Sequence, residues 1–402
     1  MAMNDATRQY IAVHADADVR QLALRRCPAD VDLPLALQQI AGRQRARLKL
    51  PEWARADGLM YPPQLNMEQC SSEVTARYKA TLAERLMAEA LATHPTTLAD
   101  LTGGFGVDFA YMSQAFDSAV YVERDEQLCR IARHNFAQLG LQGATTICGD
   151  GVAYLEQVAG PLTMVFLDPA RRDSHGQRTY ALADCTPNVV PLCATLMQKA
   201  AFVVLKLSPM LDWRKAVADV GEQWVRQVHV VSVDNECKEL LMVLGAGGGL
   251  RLTCANWEKG GWNLFEPLPG EVMSGPAVEV PRSGMYLYEP NASVMKAGCF
   301  GALARRFGLG QVAANSHLFV ADRPVEGFPG RAFVVEQVSG LGKGELRRLA
   351  SGLERANIAV RNFPMTVADL RRRLRLADGG DTYLFATTLA DRSHVVLVCK
   401  KY

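Results

Sequence analysis

The stretch DLTGGFGVD, residues 100 to 108, follows a short apolar run and precedes a segment with helical spacing. Its glycines, Gly103, Gly104 and Gly106, permit a tight turn from strand to helix and a close approach of the backbone to a ligand. The spacing does not match the dinucleotide-binding fingerprint, because a bulky or charged residue stands where that motif needs a third small one. The stretch alone indicates an α/β unit with a ligand-binding loop.

Seven short apolar segments lie near this loop in the sequence, one before its glycines and six after them. The first five alternate with helix-like segments, which is typical of a doubly wound parallel sheet. The last two are separated only by DNECK and predict a closing antiparallel pair. The predicted strands, between residues 96 and 245, are TTLADL, SAVYVER, ATTICGD, TMVFLDP, AFVVLKL, VHVVSV and ELLMVLG. The fold class predicted here is α/β, with a Rossmann-like seven-stranded sheet.

Four successive strands of this sheet end in an acidic residue: Asp100, Glu123, Asp150 and Asp168. Each acid alone is as consistent with a turn or a helix cap as with function. Together they form a row of carboxylates along the edge where open α/β sheets bind ligands, and Glu123 is placed to accept hydrogen bonds from ribose hydroxyls. The ordered set therefore predicts a binding edge.

The flanking sequence predicts smaller accessory domains. Apolar residues at three- and four-residue spacing indicate helices before the loop, and strand-like and helical pieces alternate after GAGGG at 245–249. We interpret these regions as an N-terminal helical subdomain and C-terminal small α+β modules. The predicted boundaries are 1–66 for the helical subdomain, 67–248 for the sheet domain, 249–330 for a first α+β module and 331–402 for a second.

Composition predicts a cytoplasmic protein that uses neither a membrane nor a metal. The 402 residues contain no run of eighteen apolar residues, no signal-peptide pattern and ten cysteines without a C-x-x-C pair. Basic residues concentrate toward the two ends: residues 343–402 contain 12 Lys and Arg against six Asp and Glu, and residues 20–55 contain eight against three. This distribution is compatible with a polyanion-binding surface or with two solvated helical faces.

The loop and the row of acids resemble the class I S-adenosylmethionine-dependent methyltransferases. Asp100 to Gly106 is similar to their first motif, D-x-x-x-G-x-G. The resemblance implies that S-adenosyl-L-methionine is the cofactor, with its ribose at Glu123 and its adenine amine at Asp150. The cofactor-binding residues expected in this region are Asp100, Thr102, Gly103, Gly104, Gly106, Asp108, Glu123 and Asp150.

A closer resemblance covers the whole chain. The stretches QCSSEVTARYKA, FLDPARRD, LKLSPMLD and the long terminal NIAVRNFPMTVADLRRRLRLADGGDTYLFATTL are similar to a bacterial family of class I methyltransferases with a ferredoxin-like module and a C-terminal THUMP-like domain. THUMP domains accompany tRNA-modifying enzymes, so the implied substrate is RNA, with tRNA favoured. At QCSSE and just after it, either Gln69, Ser72 and Thr75 form a lid over the cofactor's methionine end, or the segment is a simple helix cap.

The stretch FLDPARRD occupies the place of the catalytic [DN]-P-P-[YF] motif of amino-methylating enzymes. A strand-end carboxylate and a proline carbonyl that accept N–H bonds restore lone-pair character to a conjugated amine, so Asp168 and Pro169 are the catalytic candidates. Arg171 stands near the position of the usual stacking aromatic and is expected to stack on a base or pair with phosphate. The following strand offers Ser208 and no cysteine, which disfavours covalent uracil chemistry.

The basic run DLRRRLRL at 369–376 supplies the RNA-binding candidates Arg371, Arg372 and Arg375, because a helix would spread these arginines over more than one face. Two other functions stay open at this point. One is a non-catalytic RNA-binding protein that keeps the methyltransferase fold. The other is a methyltransferase that acts on a protein or a small molecule.

Overall fold

The computed structural model describes residues 3–90, 95–171, 182–268, 271 and 277–402. The chain forms two compact units. The first comprises residues 1–226 with 240–248, and the second comprises residues 227–239 with 249–402.

In the described part of the chain, six helices precede the first strand. Side chains of Asn4, Asp18 and Asp32 cap three of them by accepting backbone N–H bonds, as such residues do at helix N-termini. The segment packs on the rest of the same unit: the Tyr111 hydroxyl donates to Glu52 across 2.7 Å. The helices are α1 Asp5–Val13, α2 Val19–Ala23, α3 Leu33–Lys49, α4 Pro51–Arg55, α5 Gln64–Gln69 and α6 Glu73–Ala90.

The next segment alternates strands and helices as the sequence predicts. Its elements are β1 Thr97–Asp100, α7 Val107–Met112, β2 Ser118–Glu123, α8 Glu126–Gln138, β3 Ala144–Cys148, α9 Gly151–Gln157, β4 Leu162–Leu167, β5 Ala170–Arg171, β6 Cys185–Thr186, α10 Cys193–Lys199, β7 Ala200–Leu207, α11 Trp213–Val220, β8 Val225–Val233 and β9 Glu236–Gly245. In the first unit the main sheet has the order β9-β7-β4-β1-β2-β3. All neighbours are parallel except β9, which runs antiparallel to β7. The carboxyl ends of β1 to β4 therefore lie at one edge.

The predicted closing pair is a hairpin. Strands β8 and β9 are joined by Asp234 and Asn235, both with positive φ, 50° and 60°. A two-residue turn with this backbone matches the twist of antiparallel strands, and Asp and Asn tolerate it better than most residues. The short polar link in the sequence therefore has the structure that its residues favour.

The second unit contains two sets of strands. Its elements after β8 are β10 Arg251–Glu258, β11 Gly261–Phe265, β12 Tyr286–Pro290, α12 Ala292–Ala297, α13 Phe300–Phe307, β13 Gly310–Gln311, β14 Phe319–Ala321, β15 Gly330–Ser339, α14 Lys343–Ala350, β16 Asn357–Arg361, α15 Val367–Leu374, β17 Thr382–Thr388 and β18 His394–Lys401. Strand β10 pairs in parallel with β8 and antiparallel with β11. The other seven strands form one sheet, in the order β13-β14-β12-β15-β18-β17-β16.

This seven-stranded sheet crosses the boundary that the sequence predicts near residue 330. Strand β12 lies on one side of that boundary, and it pairs antiparallel with β15 on the other, with Leu287 opposite Phe333. One core cluster contains both of these residues together with Phe385 and Leu397. The two small α+β modules thus share one sheet and part of one hydrophobic core.

Two neighbouring glycines test how closely α9 packs on the loop after β1. A Cβ on Gly151 would lie 2.1 Å from the backbone oxygen of Leu101, whereas a Cβ on Gly149 would meet nothing closer than 3.9 Å. We expect Gly151→Ala to lower the free energy of unfolding by about 1–3 kcal/mol, because backbone cannot move aside as a side chain does. The matched control Gly149→Ala should stay within about 0.5 kcal/mol in urea titrations. Equal stability of the two variants would contradict this packing.

Candidate active site

The glycine loop after β1 forms a cradle that only small residues can line. A Cβ on Gly103 would lie 2.2 Å from the ring of Tyr121, so the backbone rests directly on that ring. Gly104 and Gly106 both have positive φ, 55° and 83°. The Tyr121 hydroxyl donates a hydrogen bond to the Gly104 carbonyl and anchors the turn. A backbone without side chains in the way fits a ligand that approaches the main chain closely, as the cofactor of the resembled class requires.

Glu123, at the end of β2, is bound to this loop. Its Oε2 accepts a hydrogen bond from the Gly104 N–H at 2.8 Å, and its Oε1 accepts one from the Asp125 N–H at 2.9 Å. The side chain is only partly buried. A carboxylate oxygen offers more than one acceptor site. Glu123 therefore holds the loop and keeps acceptor capacity for hydroxyl groups of a ligand.

Asp100 lies underneath the loop and is buried, with only 1% of its surface exposed. Its Oδ1 accepts a hydrogen bond from the Thr102 N–H at 3.0 Å. Burial raises the pKa of Asp100 well above its ordinary value, although the bond from Thr102 lowers it, and nearby carboxylates including Asp108 raise it further. The structure thus gives Asp100 a part in shaping the loop from below.

Asp150, at the end of β3, is the N-cap of α9. Its Oδ1 accepts the N–H groups of Val152 and Ala153, and its Oδ2 pairs with Arg124. The hydrogen bond from Ala153 is the main reason that the pKa of Asp150 lies below its ordinary value, and the Arg124 charge contributes. Asp150 therefore does cap a helix, which was the alternative to a ligand-binding role for each of the four acids. Its contact with the cofactor's adenine stays a prediction.

Asp168, at the end of β4, stands beside the glycine loop. Its backbone N–H donates to Thr102 Oγ1 at 2.6 Å, and its Oδ2 lies 2.6 Å from Lys206 Nζ. The side chain is 40% exposed, while Pro169 is buried. The backbone of Arg171 pairs with Cys185 in the short β5–β6 sheet. The Arg171 side chain and residues 172–181 lie outside the described part of the structure.

Asp108 contacts polar and charged side chains that are not among the predicted site residues. Its carboxylate accepts a hydrogen bond from Ser71 at 2.7 Å and lies 3.2 Å from Lys79 and 3.4 Å from Lys206. Burial alone would raise the pKa of Asp108, but the charges of Lys79 and Lys206 and the Ser71 bond hold it below its ordinary value. Since Lys206 also binds Asp168, the chain Lys79, Asp108, Lys206 and Asp168 is one continuous ion network.

The lysines had a signal in the sequence. Lys206 interrupts the apolar run AFVVLKL. Lys79 lies in a helix, and its side chain is fully buried there. Charged residues are almost never fully buried unless they are paired. A lone lysine in an apolar strand next to acidic strand ends therefore indicates an ion pair at the site.

The QCSSE segment has the geometry of a helix cap. Ser72 Oγ accepts a hydrogen bond from the Thr75 N–H at 3.3 Å, and the Thr75 hydroxyl donates to the Ser72 carbonyl at 3.1 Å. Thr75 is buried, and Gln69 is exposed at the end of α5. The residue of this segment that reaches the ion network is Ser71. The lid formed by Gln69, Ser72 and Thr75 stays a prediction.

The three arginines of the terminal basic run differ in their surroundings. Arg371 donates to the carbonyls of Ala356 and Ala377 and pairs with Asp378, so it ties its own domain together. Arg372 is 79% exposed, with Asp369 at 3.4 Å, and Arg375 is exposed at the C-terminal end of α15.

The strand order, the antiparallel closing strand and the glycine loop at the carboxyl edge define a class I methyltransferase domain. The chain also matches known protein families in its second unit. Residues 286–329 match a ferredoxin-like domain, and residues 330–401 match the THUMP domain-like family.

Whole-chain comparisons agree with this class. A solved structure from Porphyromonas gingivalis W83, of a protein named as an inferred methyltransferase, is 30% identical, with a TM-score of 0.84 and full coverage of both chains. Two Mycobacterium tuberculosis proteins, from strains CDC 1551 and H37Rv, are each 27% identical over 318 residues, which is 77% of this chain and 79% of theirs. Both are named as uncharacterised S-adenosylmethionine-dependent methyltransferases. The chain belongs to the family of bacterial class I S-adenosylmethionine-dependent methyltransferases with a ferredoxin-like module and a C-terminal THUMP-like domain.

Two features are absent from the described residues. None of the helices there is long and apolar enough to cross a membrane. Within the same residues, no group of three or more His, Cys, Asp or Glu side chains is arranged to hold a metal ion.

Proposed function

We propose that the protein is a cytoplasmic methyltransferase that modifies RNA, with tRNA as the favoured substrate, at a nitrogen of a base. The observation that carries the proposal is Asp168, a half-exposed carboxylate fixed to the glycine loop through Thr102 and oriented by Lys206. The THUMP-like domain supports RNA as the substrate class. The exposed Arg372 and Arg375 are proposed phosphate contacts, whereas Arg371 serves its own domain.

The side chains suggest how the reaction proceeds. When bound, the cofactor supplies a methyl group on a positively charged sulfur. Lys206 holds Asp168 Oδ2, and within the described residues no hydrogen bond reaches Asp168 Oδ1. That oxygen and the Pro169 carbonyl accept the two N–H groups of the target amine and direct its lone pair toward the methyl carbon. Asp168 is also the base positioned to take the proton that the nitrogen releases after methylation.

The test is Asp168→Asn in a single-turnover assay with labelled cofactor and total tRNA from a strain that lacks the gene. We expect a rate at least about 10²-fold lower, because the amide carries no charge and offers one acceptor oxygen instead of two. The fold should persist because Lys206 keeps Asp108 as a partner.

The matched control is Asp212→Asn, which changes the same chemical group at the N-cap of α11, where an amide caps as well as a carboxylate. Both variants should bind the cofactor with wild-type affinity. Wild-type RNA methylation together with an equally active Asp168→Asn enzyme would reject the catalytic assignment. Labelled protein or small molecules without labelled RNA would reject the substrate class.

A further inference from the structure

A cleft of about 440 Å³ lies within the second unit. Its polar lining residues are Asn235, Glu289, Lys296 and Arg361, and the remaining wall is formed by Pro290, Ala292 and Met295. Clefts of a few hundred cubic ångströms with an apolar wall and a few convergent polar groups are typical of small-molecule sites.

The only carboxylate among these lining residues is already occupied. Glu289 is buried to 3% exposure; its Oε1 accepts a hydrogen bond from Arg361 at 2.6 Å, and its Oε2 accepts one from Arg331 Nε at 3.0 Å. A buried carboxylate held by two guanidinium groups is over-neutralised. The acid therefore positions the arginines and leaves positive charge toward the cleft.

The remaining polar groups are donors. Arg361 Nε is buried and has no hydrogen-bond partner among the described residues. Asn235 Oδ1 already accepts the Ala292 N–H at 2.8 Å, which leaves the amide NH₂ of Asn235 as its donor. Lys296 adds an ammonium group to the lining.

We propose that this cleft binds the phosphate group of a nucleotide, with Lys296 and Arg361 as its cationic ligands and Asn235 as a neutral donor. A site with several donors and an occupied carboxylate favours an anion, and a guanidinium beside an ammonium is suited to the several acceptor oxygens of phosphate. The apolar wall of Pro290, Ala292 and Met295 gives room for the attached nucleoside. Where the nucleotide is part of RNA, the inference rests on the proposed function and adds a second contact point for that substrate.

The test compares uridine 5′-monophosphate, uridine and total tRNA as ligands of the full-length protein. We expect the monophosphate to bind and uridine to bind at least about 10-fold more weakly. Lys296→Ala should weaken binding of both the monophosphate and tRNA about 10-fold, and it should reduce the salt dependence of tRNA binding by about one phosphate contact. Arg361→Lys keeps a charge beside Glu289 but removes the planar guanidinium group, so it should weaken binding of the monophosphate similarly.

The control is Lys215→Ala, which removes one exposed surface charge whose partner is Asp219. It should leave all three affinities unchanged, and cofactor affinity should be the same in every variant. Loss of monophosphate binding in the cleft variants with unchanged tRNA binding would support the site and identify a free nucleotide as its ligand. Wild-type monophosphate and tRNA binding in both cleft variants would overturn the site, even if the protein methylates RNA.

Discussion

Glu123→Ala is expected to lower the affinity for S-adenosylmethionine by roughly 10² to 10⁴-fold in a calorimetric titration. We expect the carboxylate to accept hydrogen bonds from two ribose hydroxyls, and bonds to a charged group are each worth about 1.5–3 kcal/mol. The structure adds a second reason, since Glu123 Oε2 also holds the Gly104 N–H at 2.8 Å. Alanine would release the loop as well as remove the acceptors.

Glu126→Ala is the matched control for this experiment. Glu126 lies three residues further along, in the first turn of α8, and its exposed carboxylate pairs only weakly with Arg130 at 3.7 Å. Its removal should leave cofactor affinity unchanged. Wild-type affinity in Glu123→Ala would refute the ribose assignment, and equal losses in the two variants would indicate a nonspecific effect of removing charge.

Asp108→Asn is expected to lower the free energy of unfolding by about 3–5 kcal/mol at neutral pH. The substitution removes the carboxylate charge 3.2 Å from Lys79, whose side chain has no exposed surface, and breaking a buried pair from one side costs this much. Urea titration measures the loss. Asp219→Asn, which disrupts a more exposed pair with Lys215 at 3.1 Å, should cost less than about 1 kcal/mol.

The pH dependence of this stability has a definite sign. Because the pKa of Asp108 is lowered in the folded protein, its contribution is complete above the unfolded value of about 4 and disappears as the pH falls through the folded value. The difference between wild type and Asp108→Asn should therefore shrink on acidification below about pH 4. A difference that is constant across that range would mean that the carboxylate charge contributes nothing.

Much of the first unit could be predicted from sequence because its signals are local. An apolar run has to form a strand where glycine and acidic residues follow it, and the predicted TMVFLDP and the observed β4 Leu162–Leu167 agree within two residues. In the second unit, the Asp-Asn turn between β8 and β9 is equally local, because those residues tolerate positive φ. The row of acids at the carboxyl edge follows from parallel strand order, which alternation with helices already implies.

The tertiary structure decided the contacts between residues far apart in the chain. Three separate segments supply Ser71 with Lys79, Asp108 and Lys206, and only their packing turns isolated polar residues into an ion network. In the second unit, β12 pairs with β15 across the predicted domain boundary.

The surroundings of the arginines and of the cleft also depend on residues that are far apart in the chain. Arg371 has the same local sequence signal as Arg372, but its position on the helix directs it to backbone carbonyls of its own domain. In the sequence, Glu289 is an ordinary acid at the end of a strand, and only the structure shows that it pairs with Arg331 and Arg361. The sequence by itself therefore determined the order of the elements and the chemistry at the strand ends, because both follow from neighbouring residues. Only the folded chain decided which charges are buried, paired or left to bind a ligand, since burial and pairing depend on residues brought together from distant segments.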